Sequence, residues 1–496
     1  MARASLAVAL FGLALGACAE SSSDAAEGKD AGLGGAGGSA GSPSGGSGGA
    51  AGSAGAAGAA GASGAAGAAG TGGTSGAAGS GGAPSGGAGG TAGTGGVGGA
   101  GGTGGAPVDP CQGKTVSCPS LPPGFAAGSG LSAIERCAFP IDEGAEKTQF
   151  APLVDSLAKA LPNRTVSDLA GDLNRSAVAV SSVPGGPPGV VRAFRWEDAE
   201  NDKPYWIPQG ISGSADAHAS GLVAGRHWVV VSFYYDKASH PGSTGEKGVR
   251  LAFVDVTPSG APKYRFVLLV EPTGTASAPS FKAIPIHAGG IAWFGNLLYV
   301  ADTFTGFRVF DTSRFLQVAT DQDVIGCSAG TCRAGLYKYV LPQVGTYREA
   351  SSCAPRFSFV SVDRSSTPPS LISGEYCSGS SCSAALSGRL FRWPLDAASG
   401  AIGPGRHWPA QAFFGGQVQV QGAGAKDGTF FLSSSAPSGA GGALYRVTPG
   451  KSATSKWVDA PEDVVIDGPR DLIWSLSEQL SSRVVFAAKL ASYPKP

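Results

Sequence analysis

The sequence predicts an all-β fold, a β-propeller of five four-stranded blades closed by an N-terminal strand, with a small helical brace before it. Three observations predict it. A pattern of polar residue, small residues, turn, apolar strand, turn and Arg/Phe/Val-rich strand recurs five times between Pro208 and the C-terminus. Each of the first four recurrences is followed by a further strand-like run, while the last reaches the chain end without one. One run, "VVRAFRW" from Val190 to Trp196, stands before the first unit with no partner of its own. Internal repetition of this kind is the mark of blades packed radially around an axis.

The clearest unit is "HAGGIAWFGNLLYVADTFTGFRVFDT", from His287 to Thr312, which reads with period two as three short strands joined by tight turns. The first unit is "PQGISGSADAHASGLVAGRHWVVVSFYYD" from Pro208, continued by "VRLAFVDV". The third is "REASSCAPRFSFVSVD" from Arg348, continued much later by "RLFRWPLD". The fourth is "VQGAGAKDGTFFLSSS" from Val420 with "LYRVTP", and the fifth is "PEDVVIDGPRDLIWSLSE" from Pro461 with "RVVFAAKL". Fourth strands are expected at Tyr264, Leu336, Ala410 and Ser455, and pairing of Val190–Trp196 with the last unit would close the ring. Gly210, Gly289, Gly290 and Gly422 fall at inner-strand positions, where a narrow axis demands close backbone approach. An irregular β-sandwich is the competing architecture, and a sixth or seventh blade has room at 312–335 or 364–388.

The N-terminal part differs in kind. "MARASLAVALFGLALGAC" has one Arg, an apolar run too short to span a bilayer, and small residues ahead of Cys18. This is the pattern of a bacterial lipoprotein signal, which implies cleavage before Cys18 and acylation of its thiol; an ordinary secretory signal is the alternative. From Ala31 to Val108 the chain is nearly all Gly, Ala, Ser and Thr, without a charged residue. Such a segment cannot bury enough apolar surface to offset the entropy of ordering, so it reads as a tether with an r.m.s. span of roughly 50 Å. The expected organisation is a signal over 1–18, a tether over 19–107, a helical Cys-containing segment over 108–187 and the propeller over 188–496. In the helical segment, "FAPLVDSLAKAL" has helical apolar spacing, and Thr165 with Asp168 three residues on marks the start of a second helix.

Besides Cys18 there are eight cysteines: Cys111, Cys118, Cys137, Cys327, Cys332, Cys353, Cys377 and Cys382. In an exported chain they read as four disulfides, of which Cys327–Cys332 and Cys377–Cys382 could each close a small loop. No CxxC spacing points to a zinc site. The balanced charge, 36 basic against 36 acidic residues, and the lack of a basic aromatic patch argue against nucleic acid.

The polar residues that open the units are Gln209, His287, Glu349, Gln421 and Glu462. Placed at one mouth of the channel, they would form a ring able to hold a hard cation through oxygen, a transition metal through His287, or a small polar ligand; a water-filled mouth needs none. No cofactor is assigned. Asp216 with His218 offers a possible acid/base pair in a loop, and His227, His240 and His407 sit in turn-like contexts. Trp206, Trp293, Trp393 and Trp474 read as packing anchors before a stacking surface for sugars. Outside the Gly/Ala/Ser tether there is no GxSxG nucleophile elbow, and the chain has no Walker, HExxH or EF-hand motif.

The phrases "WIPQGISGSAD", "GVRLAFVDV", "FVLLVEP", "HAGGIAWFGNLLYVADTFTGFRVFD", "APRFSFVSVDR", "LISGEY", "GRLFRWPLD" and "PEDVVIDGPRDLIWSLSE" resemble a family of secreted propeller-like proteins of actinobacteria and related soil bacteria, over Val190 to Leu490. The tether after the Cys18 signal resembles myxobacterial surface lipoproteins. The resemblance implies export and no transferable activity. "LYVADT" is also similar to blades of lactonase and NHL-like propellers, but the Asn/Asp metal ligands of that pattern are missing. The expected function is therefore a monomeric propeller, held at the cell envelope by lipid on Cys18, that binds a polysaccharide, a protein or a small ligand. The alternative is a metal-dependent hydrolase or lyase working at the channel mouth through Glu462, His287 and Glu349.

Overall fold

The computed structural model describes residues 109–243, 245–378, 382–435 and 441–496. The signal, Cys18 and the tether lie outside the described residues. Helix α1, Glu146–Ala160, buries Phe150, Val154 and Leu157, whose spacing places them on one face. Helix α2, Val166–Ala170, starts at a full capping box, with Thr165 Oγ1 accepting from Asp168 N and the Asp168 carboxylate accepting from Thr165 N.

The rest is β-structure with a propeller-like arrangement of antiparallel sheets. Strand β1, Val190–Arg195, precedes the first sheet. That sheet holds β2 (Trp206–Gly213), β3 (Trp228–Tyr235), β4 (Val249–Asp255) and β5 (Lys263–Thr275), paired in sequence order. The second holds β6 (Ile291–Phe294), β7 (Leu297–Asp302) and β8 (Gly306–Asp311). A hairpin of β9 (Ile325–Ser328) and β10 (Thr331–Ala334) intervenes before the sheet's outer strand β11 (Tyr339–Glu349). The third has β12 (Phe359–Asp363), β13 (Ser370–Gly374), β14 (Arg389–Pro394) and β15 (Gln411–Phe414). The fourth has β16 (Val420–Lys426), β17 (Thr429–Ser434), β18 (Ala443–Thr448) and β19 (Lys451–Lys456). The last has β20 (Pro461–Asp467), β21 (Leu472–Ser477) and β22 (Val485–Lys489), and takes β1 as its fourth strand, Phe194 opposite Val485.

First strands face one another in a cycle: β2 lies against β6, β6 against β12, β12 against β16, β16 against β20, and β20 against β2 again. The N-terminal strand thus removes an open edge at the point where the cycle closes. Outer strands β5 and β11 also pair, in parallel, joining the first two sheets. Segments 312–335 and 364–388 supply the β9–β10 hairpin and strand β13, so neither contributes another first strand among the described residues.

Apolar cores fill the spaces between neighbouring sheets, each taking alternate residues of facing strands. Trp293 and Trp393 are buried anchors, as are Trp206 and Trp474. Four disulfides are formed: Cys111–Cys137, Cys118–Cys353, Cys327–Cys332 across the β9–β10 hairpin, and Cys377–Cys382 between β13 and β14. The second of these ties the N-terminal segment to the loop before β12.

Candidate functional site at the strand-start mouth

Three first strands are bulged at the same level. The register shifts between Pro208 and Ile211, between Val420 and Gly422, and between Pro461 and Val464. Gln209, Gln421 and Glu462 sit in those irregularities. A bulge frees a side chain from the strict in-and-out alternation and re-aims it, which is how sheets commonly present functional groups. Strands β6 and β12 begin only after this level, so Gly289 and Ser358 take the corresponding places. His287 lies two residues upstream of that level.

Just past the bulges neighbouring first strands approach closely. A Cβ on Gly210 would lie 2.8 Å from Gly290, and one on Gly422 would lie 2.4 Å from the Cα of Asp463. Glycine at these two positions lets the neighbouring backbones approach.

Glu349 is not part of the first-strand set. It ends β11, the outermost strand of the second sheet, and its carboxylate accepts from Ser351 N. The reason is a slip of one strand: "SFVSVD" reads as a second strand because it is apolar and ends in Asp, but Phe359–Asp363 is the first strand, and Ser370–Gly374 is the second. Partial burial raises the Glu349 pKa, against the pull of Ser351 N and Arg389.

Around the rim, groups from the ends of second strands join the set. Gln209, 2% exposed, donates from Nε2 to Glu478 Oε2 at 3.0 Å. Glu478 follows β21, and its carbonyl accepts from Arg483 Nε at 3.0 Å. Burial raises the Glu478 pKa, although Gln209 and Arg483 oppose it. Glu462 is buried and already engaged with other groups. Tyr234, near the end of β3, packs its ring on His287, centroids 4.4 Å apart and planes 35° apart. His287 is exposed at the surface, and the walls around it lower the pKa of its imidazole from the usual value. The ring is neutral at pH 7, while its exposed face stays open to a ligand. Farther round, Phe304 is 70% exposed beneath the Arg356 guanidinium, 5.4 Å from its centroid. Glu375 fixes that corner by accepting from Arg356 N at 2.9 Å and Arg389 Nε at 2.7 Å.

Tyr234, Phe304, Arg356 and Glu478 are absent from the sequence-based set. Glu478 had a legible signal, since it is the polar residue closing the second strand of its unit. Among the described residues, no three His, Cys, Asp or Glu side chains come close enough to hold a metal ion.

The axis itself carries buried acids. Asp463, fully buried, accepts from Ile211 N at 3.2 Å and Val464 N at 2.9 Å, and burial raises its pKa well above the usual carboxylate range. Asp216 sits on the helical turn Ser214–Ala217, which follows β2 at the opposite end, and accepts from Ser212 Oγ at 2.8 Å. His218 bonds Ser220 instead and is exposed, so the two residues form no acid/base pair. Burial pushes Asp216 from 3.8 up to about 8, with Ser212 and Arg364 opposing and Asp467 and Asp363 reinforcing the rise. The folded chain therefore holds this proton more tightly than the unfolded chain does, and the contribution to stability falls as pH rises from about 4 to about 8. Asp216→Asn is expected to melt with wild type near pH 4 and several degrees above it at pH 8 to 9. Melting curves across that range check this; a constant offset would mean that Asp216 is not the titrating group.

No family profile matches the chain, and no curated protein does. Solved structures that it resembles include the GH43_1 enzyme from Xanthomonas citri, at TM-score 0.31 and 9% identity, covering 68% of this chain and 93% of that one. The same enzyme complexed with xylotriose gives TM-score 0.29, with the same identity and coverage.

Proposed function

We propose that this chain is an exported, lipid-anchored protein whose sheets are the five blades of a β-propeller, and that the mouth at the strand starts binds a neutral polysaccharide or oligosaccharide. The pairing of Tyr234 with His287 beside the Gln209–Glu478 bond carries the reading. Sugars present apolar C–H faces and a rim of hydroxyls. Stacked amphipathic rings meet the first, and an amide with a carboxyl meets the second. A histidine uncharged at pH 7 adds no ionic preference, which suits a neutral ligand. In this reading the acylated Cys18 holds the propeller at the envelope, and the uncharged segment after it acts as the tether.

The purified protein should bind soluble β-glucans, xylans or mannans in affinity electrophoresis and calorimetry. Tyr234→Ala and Glu478→Gln should each weaken that binding about tenfold or more. A glycan panel that fails to bind, or variants that bind as wild type does, would remove the mouth from consideration. Cys18→Ser should move the protein from the membrane to the soluble fraction of a cell that exports it.

A further inference from the structure

The segment that precedes the ring lends a further short strand to the outer edge of every sheet but one. Ser132–Ala133 pairs with β15, Ile141–Glu143 with β11, Arg175–Ser176 with β5 and Val178–Ala179 with β1. The fourth sheet is the exception. Its outer strand β19 pairs with β18 and with no other strand among the described residues.

The register shows which backbone groups are left open. Pro449-Gly450 joins β18 to β19 as a tight turn, with Gly450 at φ +70°. Trp457, which follows β19, donates from N to Gly442 O at 2.9 Å. Antiparallel pairs alternate, so Lys451, Ala453 and Ser455 bond β18 in the same phase as Trp457. Ser452, Thr454 and Lys456 therefore turn their N–H and C=O groups to the open edge, where none of them meets a partner among the described residues. Gly130 and Leu131 cross the turn, with Leu131 N donating to Thr448 O at 3.0 Å, and bound the edge at that end. The strand is no part of the core: Lys451, Thr454 and Lys456 are exposed, and Ser452, Ala453 and Ser455 are half-buried.

An edge of unpaired N–H and C=O groups is a template for a strand from another chain. Between its ends β19 carries only Ser, Ala and Thr, which leave room beside it, and Lys451 and Lys456 stand at the two ends. The strand has no acid, and neither lysine has an ion-pair partner among the described residues. A second copy is a poor occupant, because pairing two β19 edges sets lysine near lysine with no acid between. The charge instead suits a strand with acids at its ends.

We propose that the open edge of β19 docks an extended segment of a partner protein, a short proline-free stretch with an acidic residue at each end, which pairs antiparallel with Ser452–Lys456 as an added strand. The site is separate from the mouth and does not depend on the glycan reading.

The test uses the whole purified protein and the fluorescein-labelled peptide ETVTVE-amide, titrated by anisotropy at low salt. Binding should be saturable, with a dissociation constant of about 1 mM or below. The same peptide methylated on its backbone nitrogens keeps the charge and loses the donors, and it should bind at least tenfold more weakly, as should KTVTVK-amide. Lys451→Glu/Lys456→Glu should reverse the preference, favouring KTVTVK-amide over ETVTVE-amide. Thr454→Pro should abolish binding; the strand should tolerate it, because the lost N–H faces outward. If that variant fails to fold, the charge reversal still decides. No saturable binding of ETVTVE-amide, equal binding of its methylated form, retained binding by folded Thr454→Pro, or an unchanged preference in the charge-reversed variant would each overturn the proposal. So would a dimer of the wild type, seen by sedimentation, that Thr454→Pro dissolves, since the edge would then belong to a second copy.

Discussion

Glu200→Ala is expected to destabilise the protein by about 3–5 kcal/mol, the range for breaking a buried ion cluster by removing one partner. Glu200 is fully buried and binds three cations: Arg250 at 2.6 Å, Lys203 at 2.6 Å and Arg175 at 3.0 Å. Arg250 is itself 1% exposed and lies over the rings of Phe266, Trp206 and Phe233, at 3.8, 4.3 and 4.8 Å. Without Glu200 its charge would retain aromatic faces and the Tyr337 hydroxyl at 3.1 Å, which cannot replace a carboxylate. Burial pushes the Glu200 pKa up, but the three cations outweigh it and hold the group below its usual value. Its contribution is therefore present above the unfolded-state value of about 4.5 and is lost as pH falls through the lower folded-state value. Urea unfolding of Glu200→Ala and of Glu200→Gln/Arg250→Met at pH 7 checks the account. The double variant should recover part of the loss, because it removes the stranded charge. A single-variant loss below about 1 kcal/mol would show that the cluster is solvated after all.

The second large effect concerns Cys118–Cys353. This bridge spans 235 residues, whereas Cys327–Cys332 spans 5. If a cross-link acts mainly on the unfolded chain, its effect grows with the logarithm of the closed loop, giving about 5 kcal/mol for the long bridge and about 2 for the short one. Cys118→Ser/Cys353→Ser should therefore lower stability at least twice as much as Cys327→Ser/Cys332→Ser, when both are compared by guanidinium unfolding. Equal losses would mean that native-state contacts, and not loop length, set the contribution of each bridge.

Much of the scaffold can be read from local pattern. The capping box at Thr165, the turn-separated strands of the His287 unit, and the lone Val190–Trp196 strand each carry their own signal within a few residues. The third sheet was harder for a physical reason. Its first strand has no glycine at the waist, since Phe359 and Val360 occupy that level and Gly290 gives way to them. Its sequence therefore imitates a second strand, and the polar-ring alignment slipped onto Glu349. The rest of the mouth depends on contacts between distant segments. Tyr234 meets His287 because consecutive sheets pack side by side, and Gln209 meets Glu478 because the first sheet becomes the neighbour of the last. The Arg250–Glu200 cluster is of the same kind. A buried arginine between aromatic rings leaves no periodic trace in the chain.

The closing strand also sets an order of events. Strand β1 is made before the sheets of the ring and its partner β22 only after those between them, so β1 must wait while they form. Loop-closure entropy is recovered late, and contacts of this length slow folding. The seam should be the last part to acquire protection from amide hydrogen exchange and the first to lose it on transient opening. During that wait, exposed Val190 and Val191 form an apolar edge able to recruit a strand from another molecule, which makes the interval before closure the period of greatest aggregation hazard.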